Sequence, residues 1–451
     1  MANFIEINET YAGKDFADNI INPQFIGKSP LETQGIRVMT DVTSRINLFI
    51  WGTAKKLLKK YVKGFNPVAG ASITKRTITT TIMKGEFTED GMEFYDSVKE
   101  ELLRKGYDIN DISGTILEQT CIQVFMEGVK DDMYRQFWLN DTAKETVSSG
   151  VSTGIADTNY NAYEGMWKLI FNNASFGIPS ATEIQAFDYD ASAVKQVQTA
   201  TITGASGTAN VLVEGVNYLL TFATSLTQTN ANFVTAHAAA LLLRGFVVTA
   251  STDTLIFTST VPGSEKGVIT VVTIATLAGT VAQTTANTAP AVLTADQTVG
   301  MLKTLEEESP AVLVAMKPNE KFYYVDGYSY RNYLSTLEGK LTTGFSSEDG
   351  RMQLIDGVQR LFYRGVEVIN LDWQYPLSSD FPHATGERPA RPYRIIYAAK
   401  NNLVMAIDAI SSTSKLKVWF NDDEEENRYR IVMKTGANYV HNNIMAVAYE
   451  Q

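Results

Sequence analysis

Between residues 193 and 293 only six charged side chains occur, Lys195, Glu214, Arg244, Asp253, Glu265 and Lys266, while the 451-residue chain as a whole is 20% charged. Thr, Ala and Val dominate this stretch. Such a segment is a folded unit of its own, because apolar residues at this density need a core to bury them. Its patterns read as strands at 209–213 and 217–224, a helix over 231–243, then strands at 247–249, 254–258 and 268–274. Gly245 stops the helix. A Gln/Thr-rich segment precedes this α+β module and a Thr/Ala/Pro-rich one follows it. Both read as linkers, so the module is an insertion into a host domain at an exposed loop.

The host begins with an arm. Over residues 1–45 the apolar side chains Phe4, Ile5, Phe16, Ile20, Ile21, Phe25 and Ile26 are thinly spread and interrupted by Gly13, Pro23, Gly27, Pro30 and Gly35. That pattern buries no core. An apolar stripe over 46–62 leaves Lys55, Lys56, Lys59, Lys60 and Lys63 on the remaining face. These lysines read either as the solvated side of an amphipathic helix or as contacts to a neighbouring subunit, with DNA a lesser alternative. A β-branched run at 73–83 reads as strand, and 93–105 as a short helix stopped by Gly106. Residues 115–139 give the clearest helix. Thr115 and Glu118 form a capping box, and Ile122, Met126, Val129, Met133 and Phe137 share one face, with Leu117, Cys121, Val124 and Phe125 making a second stripe. A further helix is expected over 160–172. Beyond the insertion the expected order is helix 296–307, strands 312–316 and 321–325, and helix 328–337. A strand pair at 360–363 and 366–370 follows around Arg364-Gly365, then strands at 393–398, 403–407, 416–420 and 429–435.

Net charge is −11 and the isoelectric point near 5.0. That balance argues against a broad basic face gripping nucleic acid and suits a wall that encloses DNA without adhering to it. A single cysteine, Cys121, excludes an intrachain disulfide. No signal-peptide pattern opens the chain, and no apolar run approaches the roughly 20 residues of a membrane span, so the expected site of synthesis is the cytoplasm. The three histidines, His237, His383 and His441, lie far apart and read as packing or surface residues. Phosphate-cradling glycine motifs are lacking. The run Asp422-Asp423-Glu424-Glu425-Glu426 lacks the spacing of a calcium loop and reads as a solvated hairpin tip. Asp188-Tyr189-Asp190 is too short to signal a metal. No catalytic, cofactor or metal site is expected, and no enzymatic activity. Tyr328, Tyr330 and Tyr333 stand out as candidates for subunit contact, since Tyr is enriched at interfaces.

The order of arm, basic β-rich excursion, long strut helix and mixed α/β unit resembles the Hong Kong 97-type fold of tailed-phage capsid proteins, an α+β fold. Asn319-Glu320-Lys321-Phe322-Tyr323-Tyr324-Val325 followed by 328–337 resembles the strand and helix of that family's axial domain. Leu361-Phe362-Tyr363-Arg364-Gly365-Val366-Glu367-Val368-Ile369 resembles its hairpin, and Tyr397-Ala398-Ala399-Lys400-Asn401-Asn402-Leu403 the strand returning to the peripheral domain. Among members, the chain looks most like the crAss-like phages of Bacteroides-type hosts, whose capsid proteins carry an inserted domain. The resemblance implies an N-terminal arm (1–45), an extended-loop region (46–105), a peripheral domain with the spine helix (106–192), the insertion (193–293), an axial domain (294–400) and peripheral return strands (401–451). It implies a major capsid protein that assembles with itself into hexamers and pentamers of a shell around double-stranded DNA. Portal, scaffolding and auxiliary or head-fibre proteins would be its partners, with no cofactor and no membrane. The alternatives are a head-decoration or tail component and an encapsulin-like compartment shell.

Overall fold

The computed structural model describes residues 34–40, 42, 44–51, 60, 63, 73–90, 116–148, 151–180, 182–189, 193–262, 266–288, 291–342, 352–355, 358–371, 391–408, 417–421 and 426–451. The expected arm up to residue 33, the helix over 93–105 and the capping Thr115 lie outside them. Two units result. Met1–Asn140, Ala162–Leu169 and Leu403–Val440 make the first; Asp141–Asn161, Ile170–Asn402 and His441–Gln451 make the second.

The first unit is organised by one long strand, Glu426–Tyr439. Thr81–Asp90 runs antiparallel along one of its edges. Lys417–Asn421 and Leu403–Ile407 share the opposite edge, at the beginning and end of the strand respectively. Alternation decides which face is covered: Phe87, Tyr429 and Ile431 point inward and are buried, while Glu86, Arg430 and Val432 point out. Onto the apolar face lies the helix Ile116–Leu139, through Cys121 and Phe125. Phe87 stacks on Tyr429 at 4.4 Å between ring centres. Gly436 is required where the sheet meets Ile73–Thr79, because a Cβ there would collide with the Thr79 carbonyl oxygen.

Part of the stripe expected to be helical over 46–62 is a strand instead. Arg45–Trp51 pairs antiparallel with Ile73–Thr79. Ile46 and Leu48 pack onto Ile78, Val404 and Ala406, and Asn47 and Phe49 face solvent, so the burial period is two. The pairing partner lies more than twenty residues away, and single-segment periodicity does not register it.

The second unit is built on an eight-stranded mixed sheet. Its order is Met352–Ile355, Val358–Tyr363, Val366–Leu371, Lys321–Asp326, Arg394–Ala399, Met445–Tyr449, Ile184–Asp188 and Ala174–Phe176. The three central strands are buried at every residue, as strands covered on both faces must be. Helices Gln297–Glu308 and Gly327–Thr342 cover one side, bringing Leu302, Leu305, Tyr333 and Leu337 against Tyr323, Val325 and Tyr397. The expected hairpin turns at Arg364 (φ 47°) and Gly365 (φ 82°), the pair of left-handed residues that a two-residue turn between twisted strands demands. Two readings need correction. Residues 311–314 form a short helix rather than a strand, started by Pro310, whose carbonyl accepts from Leu313 and Val314. The helix expected from residue 160 begins at Met166, because Asp157 and its neighbours hold a turn in which Asp157 accepts from Tyr160 and Asn161.

Asp326 ends the central strand and caps the helix that follows. Its Oδ1 accepts from the Tyr328 and Ser329 amides at 2.8 and 2.9 Å. Its Oδ2 accepts from Ser329 Oγ at 2.6 Å and the Arg394 amide at 2.9 Å. Complete burial pushes this carboxyl upward, and its four donors pull it back.

The charge-poor stretch forms an α+β layer within the second unit. A three-stranded sheet (Val216–Thr221, Thr208–Val213, Thr270–Thr273) and a four-stranded one (Phe246–Ser251, Thr254–Ser259, Val197–Thr203, Ala278–Thr285) enclose a core with helix Leu226–Leu243. Ile202, Val211, Leu220, Phe233 and Phe257 are wholly or almost wholly buried there. The two segments read as polar linkers are in fact strands that pair with each other. Buried glutamines explain the misreading. Gln198 donates to the Gly267 carbonyl and accepts from the Ile269 amide (2.8 and 2.9 Å), and Gln196 grips Lys266 through both its amide and carbonyl. Outside both sheets, Val194 and Thr288 exchange two backbone hydrogen bonds of 3.1 and 3.2 Å, clasping the ends of the module together.

Three of the module's six charges gather with Glu145 of the hairpin Glu145–Ser148/Val151–Ala156. Arg244 Nη1 donates to Glu145 Oε1 at 2.7 Å, and Lys266 Nζ sits 3.4 Å from buried Glu214 Oε1. Burial pushes the Glu214 carboxyl above its ordinary value, Lys266 and Arg244 pull it back, and Glu145 adds to the rise. An acid raised on folding contributes stability that is complete below its unfolded pKa, about 4.3, and lost as pH rises through the folded one. Glu214→Gln is therefore expected to raise the Tm at about pH 8 and to leave it unchanged at about pH 4. Parallel thermal melts at the two pH values check this. A variant less stable than the parent at both would show that the carboxylate's attraction to Lys266 outweighs its burial.

Candidate functional site

The aromatic candidates divide. Tyr333 is a core residue: its ring is buried and its hydroxyl donates to the Phe362 carbonyl at 2.6 Å. It offers no surface, which corrects its selection as a contact residue. Tyr328 and Tyr330 are half-buried, and both pack against the core of the eight-stranded sheet while keeping an exposed edge. Arg331 lies over the Tyr328 ring at 5.3 Å. Of the lysines, Lys60 and Lys63 are exposed. Lys55, Lys56 and Lys59 lie outside the described residues.

Groups able to do chemistry are held in structural settings. Cys121 is buried against the sheet. His237 packs edge-on to Tyr218 and Phe233, with Nε2 3.2 Å from the Leu219 carbonyl oxygen. The His441 amide donates to Asn402 Oδ1. His383 lies outside the described residues. Among the described residues no three His, Cys, Asp or Glu side chains converge as metal ligands, and no helix is long and apolar enough to cross a membrane.

What the sequence reading missed is the outer face of the first unit's sheet. The segment 428–434 alternates Arg428, Arg430, Val432 and Lys434 with inward Tyr429, Ile431 and Met433, and that period of two was the available signal. Register sets Lys417 beside Arg430, Arg430 beside Glu86, Val432 beside Lys84 and Lys434 beside Ile82. Trp419 extends the row, with the Arg430 guanidinium 5.5 Å over its ring. Glu86 receives Lys84 at 2.7 Å and Arg430 at 2.6 Å, and these cations, Lys84 foremost, hold its carboxyl below the ordinary value. Beside it opens a depression of about 410 Å³ with Ile82 and Val432 among its apolar lining and Lys417, Arg430, Lys434 and Asp408 as its charged one. Of these cations Arg430 is already paired with Glu86.

No family model matches the chain, and no curated protein matches it. Solved structures similar to it include phage capsids and the capsid of a GTA particle. The capsid of the cyanophage P-SCSP1u aligns over 100% of this chain and 99% of its own, at 11% identity and a TM-score of 0.39. The mature capsid of bacteriophage PhiM1 aligns over 99% and 92%, at 9% identity and a TM-score of 0.39. The procapsid of satellite phage P4, which includes its size determination (Sid) protein, aligns over 96% and 94%, at 7% identity and a TM-score of 0.41.

Proposed function

We propose that this chain is the major capsid protein of a tailed phage, forming the icosahedral head shell around double-stranded DNA. One observation carries the reading: a 24-residue helix lies along a sheet built on a 14-residue strand, and a separate unit with a doubly covered mixed sheet carries a clasped insertion. This supports the reading of a spine helix on a peripheral sheet, an axial domain and an inserted domain that the resemblance to the Hong Kong 97-type fold implies. The role is mechanical rather than catalytic. Such a subunit works by presenting rigid, charge-patterned edges to several neighbours, and heterologous contacts that close on themselves give hexamers and pentamers. Net negative charge keeps the wall from adhering to the phosphates it encloses.

Within the tailed phages, the Caudoviricetes, the sequence resemblance and the insertion favour a crAss-like phage of a Bacteroides-type host. Portal, scaffolding and auxiliary or head-fibre proteins complete the particle, and assembly takes place in the host cytoplasm before the chain leaves in the virion. Electron microscopy of the protein produced alone and together with its neighbouring genes tests the reading. Closed uniform shells or sheets of hexamers are expected; a discrete monomer or small oligomer under both conditions overturns it.

A further inference from the structure

The charge-poor module and its host keep separate interiors. The module's strands pair among themselves in two sheets, and the host's eight-stranded sheet contains none of them. The cores are equally distinct: the cluster around Val211, Phe233 and Phe257 shares no residue with the cluster around Tyr323, Tyr333 and Tyr397. At the neck, Val194 and Thr288 exchange their two backbone hydrogen bonds, and the Ala193 amide donates to Glu450 Oε1 at 3.1 Å.

Away from the neck, charge makes the contact. Arg244, which ends helix Leu226–Leu243, reaches Glu145 of the host hairpin at 2.7 Å, and the two side chains are 20% and 15% exposed. Apolar side chains flank both partners and stay in water. Leu242 and Leu243, just before Arg244, are 56% and 71% exposed, and Ile155, next to the Ala156 that pairs with Glu145, is 66% exposed. A packed junction would have buried them. An ion pair acts differently from packing. Its attraction roughly offsets the hydration its partners give up, so it fixes a position without welding it, and both ends regain water on parting.

The pair is also tied to the neck through the module itself. Lys266 Nζ donates to the Arg244 carbonyl at 2.9 Å, and Gln196 bonds the Lys266 backbone at both its amide and its carbonyl. Gln196 stands two residues from Val194. A continuous path thus links the ion pair to the clasp, and the module moves as one body. We propose that the module is a hinged unit, with the Val194–Thr288 clasp as its hinge and the Arg244–Glu145 pair as the latch that seats it on the host hairpin. Seated and released modules share one fold and differ in orientation. The device belongs to the single chain and goes beyond the shell reading, since it operates whether or not copies assemble.

Spin labels test this in the full chain by pulsed electron resonance, one at Thr221→Cys in the module and one at Lys303→Cys on helix Gln297–Glu308 of the host. Both positions are exposed, and the native Cys121 is buried. A narrow distance distribution is expected with the latch intact, and one at least about twofold wider in Arg244→Gln or Glu145→Gln. The exchange Glu145→Arg/Arg244→Glu is expected to narrow it again. Hydrogen exchange supplies the second readout. In Arg244→Gln, 145–148 and 151–156 should exchange about tenfold faster while 209–213 and 254–259 keep their protection.

Equal widths with the latch intact and in both glutamine variants overturn the proposal. So does a distribution already wide with the latch intact, or a charge exchange that leaves it wide. Protection lost at 209–213 would make the pair part of the module's own fold, which also overturns it.

Discussion

Asp326→Ala is expected to cost about 4 kcal/mol, because it strips one buried carboxylate from four donors at once. The Tyr328 and Ser329 amides lose their cap, and the Ser329 hydroxyl and Arg394 amide lose their acceptor. None of the four is replaced by water at a site with no exposure. Asp326→Asn separates the parts. Its remaining oxygen can keep the two helix amides, but its NH2 then faces two donors, so about half the loss is expected. Denaturant melts followed by circular dichroism measure both. Loss of helix 327–342 ahead of the sheet would identify the cap as the larger part. An alanine variant within about 1 kcal/mol of the parent would mean that the network is relaxed by groups other than these four.

Phe125→Ala is expected to cost a similar amount, about 4 kcal/mol, in the first unit. Phe125 is the helix side chain that touches both stacked rings, Phe87 at 5.4 Å and Tyr429 at 6.3 Å between centres. Its removal leaves a cavity that the flat Phe87–Tyr429 stack is poorly shaped to fill. Phe125→Leu, which restores most of the volume, should cost under about 1.5 kcal/mol. With two units in the chain, a melt does not say which unit has loosened. Hydrogen exchange on 116–139 and 426–439 is the better measure: faster exchange there with the 394–399 and 445–449 strands unchanged is the expected pattern. Equal loosening of both units would show that the helix supports more than its own sheet.

Those two residues also mark what could be read in the letters of the chain. The helix carrying Phe125 was legible because its stripe repeats over about four turns, from Ile122 to Phe137, beside a second apolar stripe. The hairpin at Arg364-Gly365 was legible because a two-residue left-handed turn has few alternatives. Capping by Asp326 was not, since an Asp between a strand and a glycine is unremarkable until Arg394 arrives from sixty-eight residues away. The strands Val197–Thr203 and Ala278–Thr285 were hidden by composition. Their Gln and Thr look solvated, yet Gln198 is buried and bonded to backbone. Met445–Tyr449 escaped because a short Ala/Val/Met run has no period, and its place beside Arg394–Ala399 depends on pairing that only the folded chain supplies. The cationic depression was missed for the same reason: Ile82, Lys417 and Lys434 become neighbours through register, not through sequence.

The clasp between Val194 and Thr288 has a bearing on how such a chain can change over generations. The host unit meets the module at two backbone positions held a hydrogen bond apart, and again through the Arg244–Glu145 ion pair. Closing a loop of any length across those positions costs entropy that grows only slowly with its length. Swapping this module for a different one with adjacent ends, or cutting it to a short turn, alters none of the spacings on which the eight host strands depend. The clasp is thus a splice point, at which a lineage can exchange the module while keeping the geometry of the sheet that carries it.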